Sequence, residues 1–277
     1  MGFAKYQEDI VSRFVHNHAV RFDLASPNMR PRVSGRSAAQ SKSHQKKRIV
    51  HMSNLKAFVA TSPRPLPVIV LADTSGSMSE SGKIEALNQS LKEMIRTFAT
   101  ESRVRAEIQV GIVTFGGAVA EVHLPLTPAH QIIETKPMFA KGATPMGQAF
   151  DAVRKLLEDR DLIPSRAYRP VLILVSDGLP TDDWQGPFSD LQSSERAQKA
   201  TRFAMAIGDD ADEAMLDQFA NDKEAPLFKA HEARDIHRFF RAVTMSVASR
   251  TDSANPELSS GINLAELPDG DALDLDF

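Results

Sequence analysis

"VLADTSGSMSESGK", residues 70–83, is the stretch on which the architecture turns. An apolar run halts at Asp73, a loop of small residues and hydroxyls follows, and the pattern then becomes helical. Strand, loop and helix in this order hold nucleotide phosphates in some α/β proteins and one divalent ion in others. A phosphate loop needs G-x-x-x-x-G-K-[ST], the last hydroxyl being placed on magnesium. Here Gly76 and Gly82 enclose five residues, and Lys83 is followed by Ile84. The cradle fails in spacing and in chemistry. A phosphatase with an aspartyl nucleophile wants a second carboxylate two residues after Asp73, where Ser75 stands.

Outward from this loop, the punctuation is regular. "RPLPVIVLAD" (64–73) is continuously apolar and announced by prolines, as a strand buried on both faces is. A helix is expected from about Lys83 to Ala99, with Ile84, Leu87, Leu91, Met94, Ile95 and Phe98 on one face. "AEIQVGIVTFGGAVAEVHLP" (106–125) predicts two strands joined at Gly116-Gly117. A second helix should start near Thr144 and bury Phe150, Val153, Leu156 and Leu157. "PVLILVSDG" (170–178) is another apolar strand ending in aspartate. "SSERAQKATRFAMAIG" (193–208) predicts a helix feeding a strand, and residues 212–222, 225–230 and 233–250 supply helix, strand and helix. Strands alternating with helices mean a doubly wound, mostly parallel sheet covered on both faces, here with one antiparallel edge strand from the hairpin.

Composition bounds the rest. The 277 residues are 42% hydrophobic and carry a net charge of −3, which points neither to nucleic acid nor to a membrane surface. The chain has no cysteine, so disulfides, thiolate metal sites and cysteine nucleophiles are excluded. The opening residues are too polar for a signal peptide, and the longest apolar runs are strand-length; a cytoplasmic location is the expectation. Charge is unevenly spread: residues 1–67 hold twelve Lys/Arg against Glu8, Asp9 and Asp23, and residues 251–277 hold seven acids and no base. Three regions are expected: a basic, partly disordered extension (1–62), an α/β domain (63–250) and an acidic, flexible tail (251–277). Within the extension, Phe3, Tyr6, Ile10, Phe14 and Val15 are spaced for a short amphipathic helix. The Ser-rich stretch 26–48 is a solvated tether on its plainest reading; binding of nucleic acid through it is the weaker one.

In open parallel sheets the functional crevice lies beyond the carboxyl ends of the strands. Asp73 and Asp177 each close a strand, so both belong at that edge. Asp73, Ser75 and Ser77 form D-x-S-x-S, Thr144 lies in "KGATPMG" (141–147), and Asp177 opens the "DGLPTDD" stretch (177–183). Magnesium wants hard oxygen ligands at about 2.1 Å and retains waters. Neutral hydroxyls meet its geometry without cancelling its charge, and two aspartates neutralise enough to keep it. Such an ion keeps affinity for one more anionic oxygen. Metal-assisted hydrolysis would also need a base for water, and none is evident nearby. Of the remaining candidates, His16/His18 and His231/His237 lack zinc-protease spacing. Asp182 and Asp183 stand as a solvated acidic loop, with a rim around the metal face as the rival. Trp184 is an interface anchor if exposed. Met138, Met146 and Met205 fill core or loop gaps.

"DTSGSMS", the "GATPMG" threonine and "SDGLPTD" together resemble a von Willebrand factor A domain with a metal-ion-dependent adhesion site, over roughly residues 66–248. The match looks most like the TerY-type members, bacterial cytoplasmic proteins from tellurite-resistance and stress loci. The resemblance implies a Rossmann-like fold with Mg²⁺ (or Mn²⁺) at the top of the sheet. Ser75, Ser77 and Thr144 would coordinate directly, and Asp73 and Asp177 directly or through waters. It further implies a non-enzymatic adaptor whose protein partner supplies a carboxylate, that partner being a kinase, a phosphatase or an ATPase complex. A magnesium-dependent enzyme directed at nucleotides or phosphoesters is the alternative.

Overall fold

The computed structural model describes residues 63–101, 103–220, 227–254 and 256–257. The chain divides into two units, Met1–Phe58 and Val59–Phe277, and every described residue belongs to the second. The amphipathic helix and the basic tether expected before residue 63 lie outside the described residues, as do residues 258–277 of the acidic tail.

Six strands form one sheet in the order β3-β2-β1-β4-β5-β6. They are β1 (Arg64–Asp73), β2 (Ala106–Gly116), β3 (Val119–Pro128), β4 (Val171–Ser176), β5 (Thr201–Ile207) and β6 (Phe228–Ala230). All neighbours are parallel except β2 and β3, whose hairpin turns at Gly117 with φ +80°. β3 closes one edge, and it is the least buried strand, carries Pro125 and Pro128, and slips register against β2 between Val110 and Val113. Such a broken, proline-bearing edge discourages pairing with another chain.

The central strands are apolar on both sides because both sides are covered. Along β1, Leu66, Val68, Val70 and Ala72 point to one face, and Ile69 and Leu71 to the other, in the period of two that pleating dictates. The first face packs under α1 (Lys83–Thr100) and α6 (Ala233–Asp252). The second packs under α2 (Met146–Glu158), α3 (Gln185–Ser193), α4 (Glu195–Lys199) and α5 (Glu213–Phe219). All six apolar residues foreseen for the first helix are buried. On the opposite face Phe150 meets Phe188 at 5.0 Å and Phe219 at 6.1 Å between ring centroids, tying α2, α3 and α5 into one aromatic layer. Met138, Met146 and Met205 are all buried, as core fillers should be.

Two details depart from expectation. α3 was not foreseen, and α6 runs past residue 250 to Asp252; within its last turn the buried Arg250 donates Nε to the Pro256 carbonyl at 2.9 Å and a terminal NH₂ to that of Arg169 at 3.1 Å. No helix among the described residues is long and apolar enough to cross a membrane.

Candidate metal centre

The sheet order reverses between β1 and β4, which lie side by side in parallel register with Ala72 opposite Val175. Each of these strands ends in the sequence at an acid: Asp73 is the last residue of β1, and Asp177 follows the last residue of β4. The crevice at such a switch point is where open α/β sheets place ligands.

The loop after Asp73 is shaped by its own bonds. Oδ1 of Asp73 accepts the Ser75 N–H at 2.8 Å, an Asx-type turn, and a single 3₁₀ turn (Gly76–Ser79) follows. Met78 is fully buried beneath that turn and anchors it to the α1 side of the core. Across the loop runs the segment that leads into α2. Lys141 N–H donates to the Thr74 carbonyl at 2.8 Å, and Gly76 N–H donates to that of Gly142 at 2.9 Å. Gly117 N–H reaches the Ala143 carbonyl at 3.0 Å. Close approach is obligatory here: a Cβ on Gly116 would stand 2.2 Å from the Thr74 oxygen.

These contacts bring the oxygens together. Ser77 Oγ donates to Asp177 Oδ1 at 2.7 Å, Ser75 Oγ lies 3.5 Å from the same oxygen, and the two serine hydroxyls are 3.1 Å apart. Ser77 Oγ and Thr144 Oγ1 each lie 3.9 Å from where a Cβ of Gly178 would stand, so both hydroxyls border the position of Gly178. Asp73, Ser75, Thr144 and Asp177 are 0%, 2%, 5% and 2% exposed, whereas Ser77 is open to solvent. The result is a lined, one-sided cup of hydroxyls and carboxylates.

Buried carboxylates without a counter-ion are costly. Burial pushes the Asp73 carboxyl up to about 6, opposed by the hydrogen bonds from Ser176 and Ser75, while the neighbouring charge of Asp177 raises it further. Ser176 Oγ donates to Asp73 Oδ2 at 2.6 Å. Asp177 has a partial answer to its charge: Lys83 Nζ donates to its Oδ2 at 2.8 Å. The donor set fits a hard divalent cation: oxygens only, two of them anionic, gathered at a cup that leaves one side open. Among the described residues no group of three or more His, Cys, Asp or Glu is poised for a metal, so any ion held here relies on the hydroxyls.

Several supports were not foreseen. Ser176 orients Asp73. Thr181 braces Thr144 from both sides, its Oγ1 accepting the Thr144 N–H at 2.9 Å and its own N–H reaching the Thr144 carbonyl at 3.0 Å. Asp182 is half-buried rather than solvated. Its two oxygens accept the N–H groups of Gly147 and Gln148 at 2.9 and 3.1 Å, capping the first turn of α2. Trp184 is half-buried against Phe188, 5.7 Å between ring centroids, and so is not an exposed anchor. His237 pairs its Nδ1 with Ser90 Oγ at 2.9 Å, and His231 lies exposed 3.9 Å from Asp209, so neither joins a metal cluster. His16 and His18 lie outside the described residues. Each of these supports acts between residues distant in the chain, Thr181 included, so local sequence pattern does not disclose them.

A family model for the von Willebrand factor type A domain matches residues 68–242. Among solved structures, the chain is similar to proximal thread matrix protein 1 from the mussel byssus, at 19% identity and a TM-score of 0.53, over 68% of this chain and 49% of that one. A structure of the same mussel protein with a zinc-occupied metal-ion-dependent adhesion motif matches at 18% identity and a TM-score of 0.53, over 68% and 48%. A von Willebrand factor type A protein from Catenulispora acidiphila matches at 22% identity and a TM-score of 0.52, over 67% and 42%. This chain therefore spans about half or less of each of these three structures, and at these identities the likeness speaks for the fold. No curated protein matches the chain in sequence.

Proposed function

The chain belongs to the von Willebrand factor type A domain family, and we propose that it is a non-enzymatic protein-binding module whose grip on its partner depends on a divalent metal ion. The observation that carries this reading is the convergence of Ser75 and Ser77 on Asp177 Oδ1, within 3.5 Å, beside the buried Asp73 and across from Thr144. Ser75, Ser77 and Thr144 hold the ion through neutral oxygens, and Asp73 and Asp177 supply its charge balance directly or through waters. The bound ion supplies Lewis acidity toward one further oxygen. Magnesium and manganese suit a set made only of oxygens; zinc joins them by analogy with the mussel protein.

The open side of the cup admits a carboxylate from the partner. A kinase, a phosphatase or an ATPase complex in a bacterial stress-response or tellurite-resistance system, in the cytoplasm, is the setting that the TerY-type resemblance suggests. Calorimetry of the full chain with Mg²⁺ and Mn²⁺ tests the site, with Asp73→Ala as the variant that should lose uptake. Pull-down from native lysate with magnesium, and again with EDTA, tests the partner. Absence of metal uptake refutes the reading. Metal-dependent turnover of ATP or a generic phosphoester, abolished by Ser75→Ala, would transfer the site to the enzyme alternative.

A further inference from the structure

Lys83 opens α1 directly behind the hydroxyl loop, yet its side chain turns back over the rim of the cup. Its Nζ meets Asp177 Oδ2 at 2.8 Å; the aspartate side chain is fully buried and that of the lysine is 18% exposed. The backbone turns sharply just before Lys83. Ser81 and Gly82, the two residues before it, both sit in the left-handed region, with φ of 54° and 72°. For a serine that conformation costs on the order of 1 kcal/mol. On the far side Gly208, with φ +75°, offers only an open position 3.9 Å from Nζ, where any other residue would set a Cβ.

The carboxylate of Asp177 is thereby divided between two tasks. Oδ2 faces the ammonium, and Oδ1 faces the hydroxyls of Ser77 and Ser75. Lys83 thus holds Asp177 from behind without taking the oxygen that joins the cup. Its charge is felt nonetheless. Asp73 and Asp177 bring two negative charges, the hydroxyls none, and Lys83 one positive, leaving the cup at −1. A divalent cation then leaves the loaded cup at +1. Without the lysine the same cation would leave it neutral.

We propose that Lys83 sets the charge of the loaded site: it loosens the hold on the metal ion and keeps the loaded cup positive, so that an anionic side chain of the partner is selected. This deepens the metal-dependent binding reading and rests on it. A mere prop for Asp177 would act differently, because losing the prop would loosen Asp177 and weaken cation and anion alike. The charge role moves the two affinities in opposite directions, since removing one positive charge favours a cation and disfavours an anion.

The test uses the full chain with Lys83→Met, Lys83→Gln as a variant retaining a polar tip, and Lys83→Arg, which keeps the charge. Free Mn²⁺ is counted by its electron paramagnetic resonance signal, and acetate is titrated while water-proton relaxation reports on the bound Mn²⁺. In Lys83→Met and Lys83→Gln, Mn²⁺ affinity should rise on the order of tenfold and acetate affinity fall by a similar factor, for about one unit of charge at short range. Lys83→Arg should stay within a few-fold of the wild type in both. Parallel losses in both affinities, or an unchanged acetate affinity, overturn the charge role alone. A wild-type chain that takes up no Mn²⁺ overturns the metal reading and this proposal together.

Discussion

Neutralising Asp73 is expected to stabilise the metal-free chain and to abolish its response to divalent cations. The carboxyl is fully buried, and burial lifts it from 3.8 to about 6. Between those values the folded chain holds a proton that the unfolded chain has already released. The stabilisation from that proton is complete below about 3.8 and is lost as pH rises through about 6. From 3.8 to about 6, at about 1.4 kcal/mol per pH unit, this amounts to about 3 kcal/mol by neutral pH.

Asparagine keeps an oxygen for the Ser75 N–H. Its amide would face Ser176 Oγ, a hydroxyl able to change from donor to acceptor. In EDTA at neutral pH, Asp73→Asn should therefore exceed the wild type by about 1–3 kcal/mol, roughly 3–10 °C in Tm for a domain of this size. The gap should close as pH falls toward 4. Magnesium should reverse the order, stabilising the wild type and leaving the variant unmoved. Urea and thermal denaturation followed by circular dichroism at both pH values, with and without magnesium, measure all of this. A gap independent of pH, or no gap in EDTA at neutral pH, would refute the claim that an uncompensated buried charge is built into the site.

The other expectations separate scaffold from cup. Gly116→Ala drives a Cβ to within 2.2 Å of the Thr74 oxygen, so the loop must move; a loss of more than about 2 kcal/mol and failed metal uptake are expected by melting and calorimetry. Gly186→Ala, with nothing within 4 Å of its Cβ in α3, should gain about 0.5 kcal/mol and serves as its control. Asp182→Ala removes the cap on α2 and should cost about 1–2 kcal/mol in urea unfolding, with metal affinity changed less than a few-fold. Arg250→Met leaves the carbonyls of Pro256 and Arg169 without that donor, and a loss of about 2–3 kcal/mol in the same assay is expected.

The fold was legible because its strands and helices carry their burial locally: a strand covered on both faces must be apolar throughout, and α1 must show its stripe. The helix α3 was hidden for a local reason too. "QGPFSDLQS" places Gly186 and Pro187 in its first turn, where they read as a break, and its buried stripe is only Phe188 and Leu191. Proline is tolerated in a first turn because the N–H it lacks has no partner there anyway. The cup divides along the same line. The oxygens gathered in the cup lie at strand ends and in the loops that lead into helices, so Asp73, Ser75, Ser77, Thr144 and Asp177 stand in short, readable stretches. The groups that aim them are paid no such attention by local pattern: Ser176 reaches Asp73 across 103 positions, Lys83 reaches Asp177 across 94, and Asp182 reaches Gly147 across 35. Laying β1 against β4 brings Ser176 to Asp73 and Lys83 to Asp177, within 2.6 and 2.8 Å, and the loop after β4 meets the start of α2 at Gly147. The turn before Lys83 is equally silent in the sequence: Ser81, two residues earlier, is held at φ 54°. A strained turn persists where surrounding structure over-determines it, and this one leads directly into the lysine whose ammonium meets the carboxylate of Asp177.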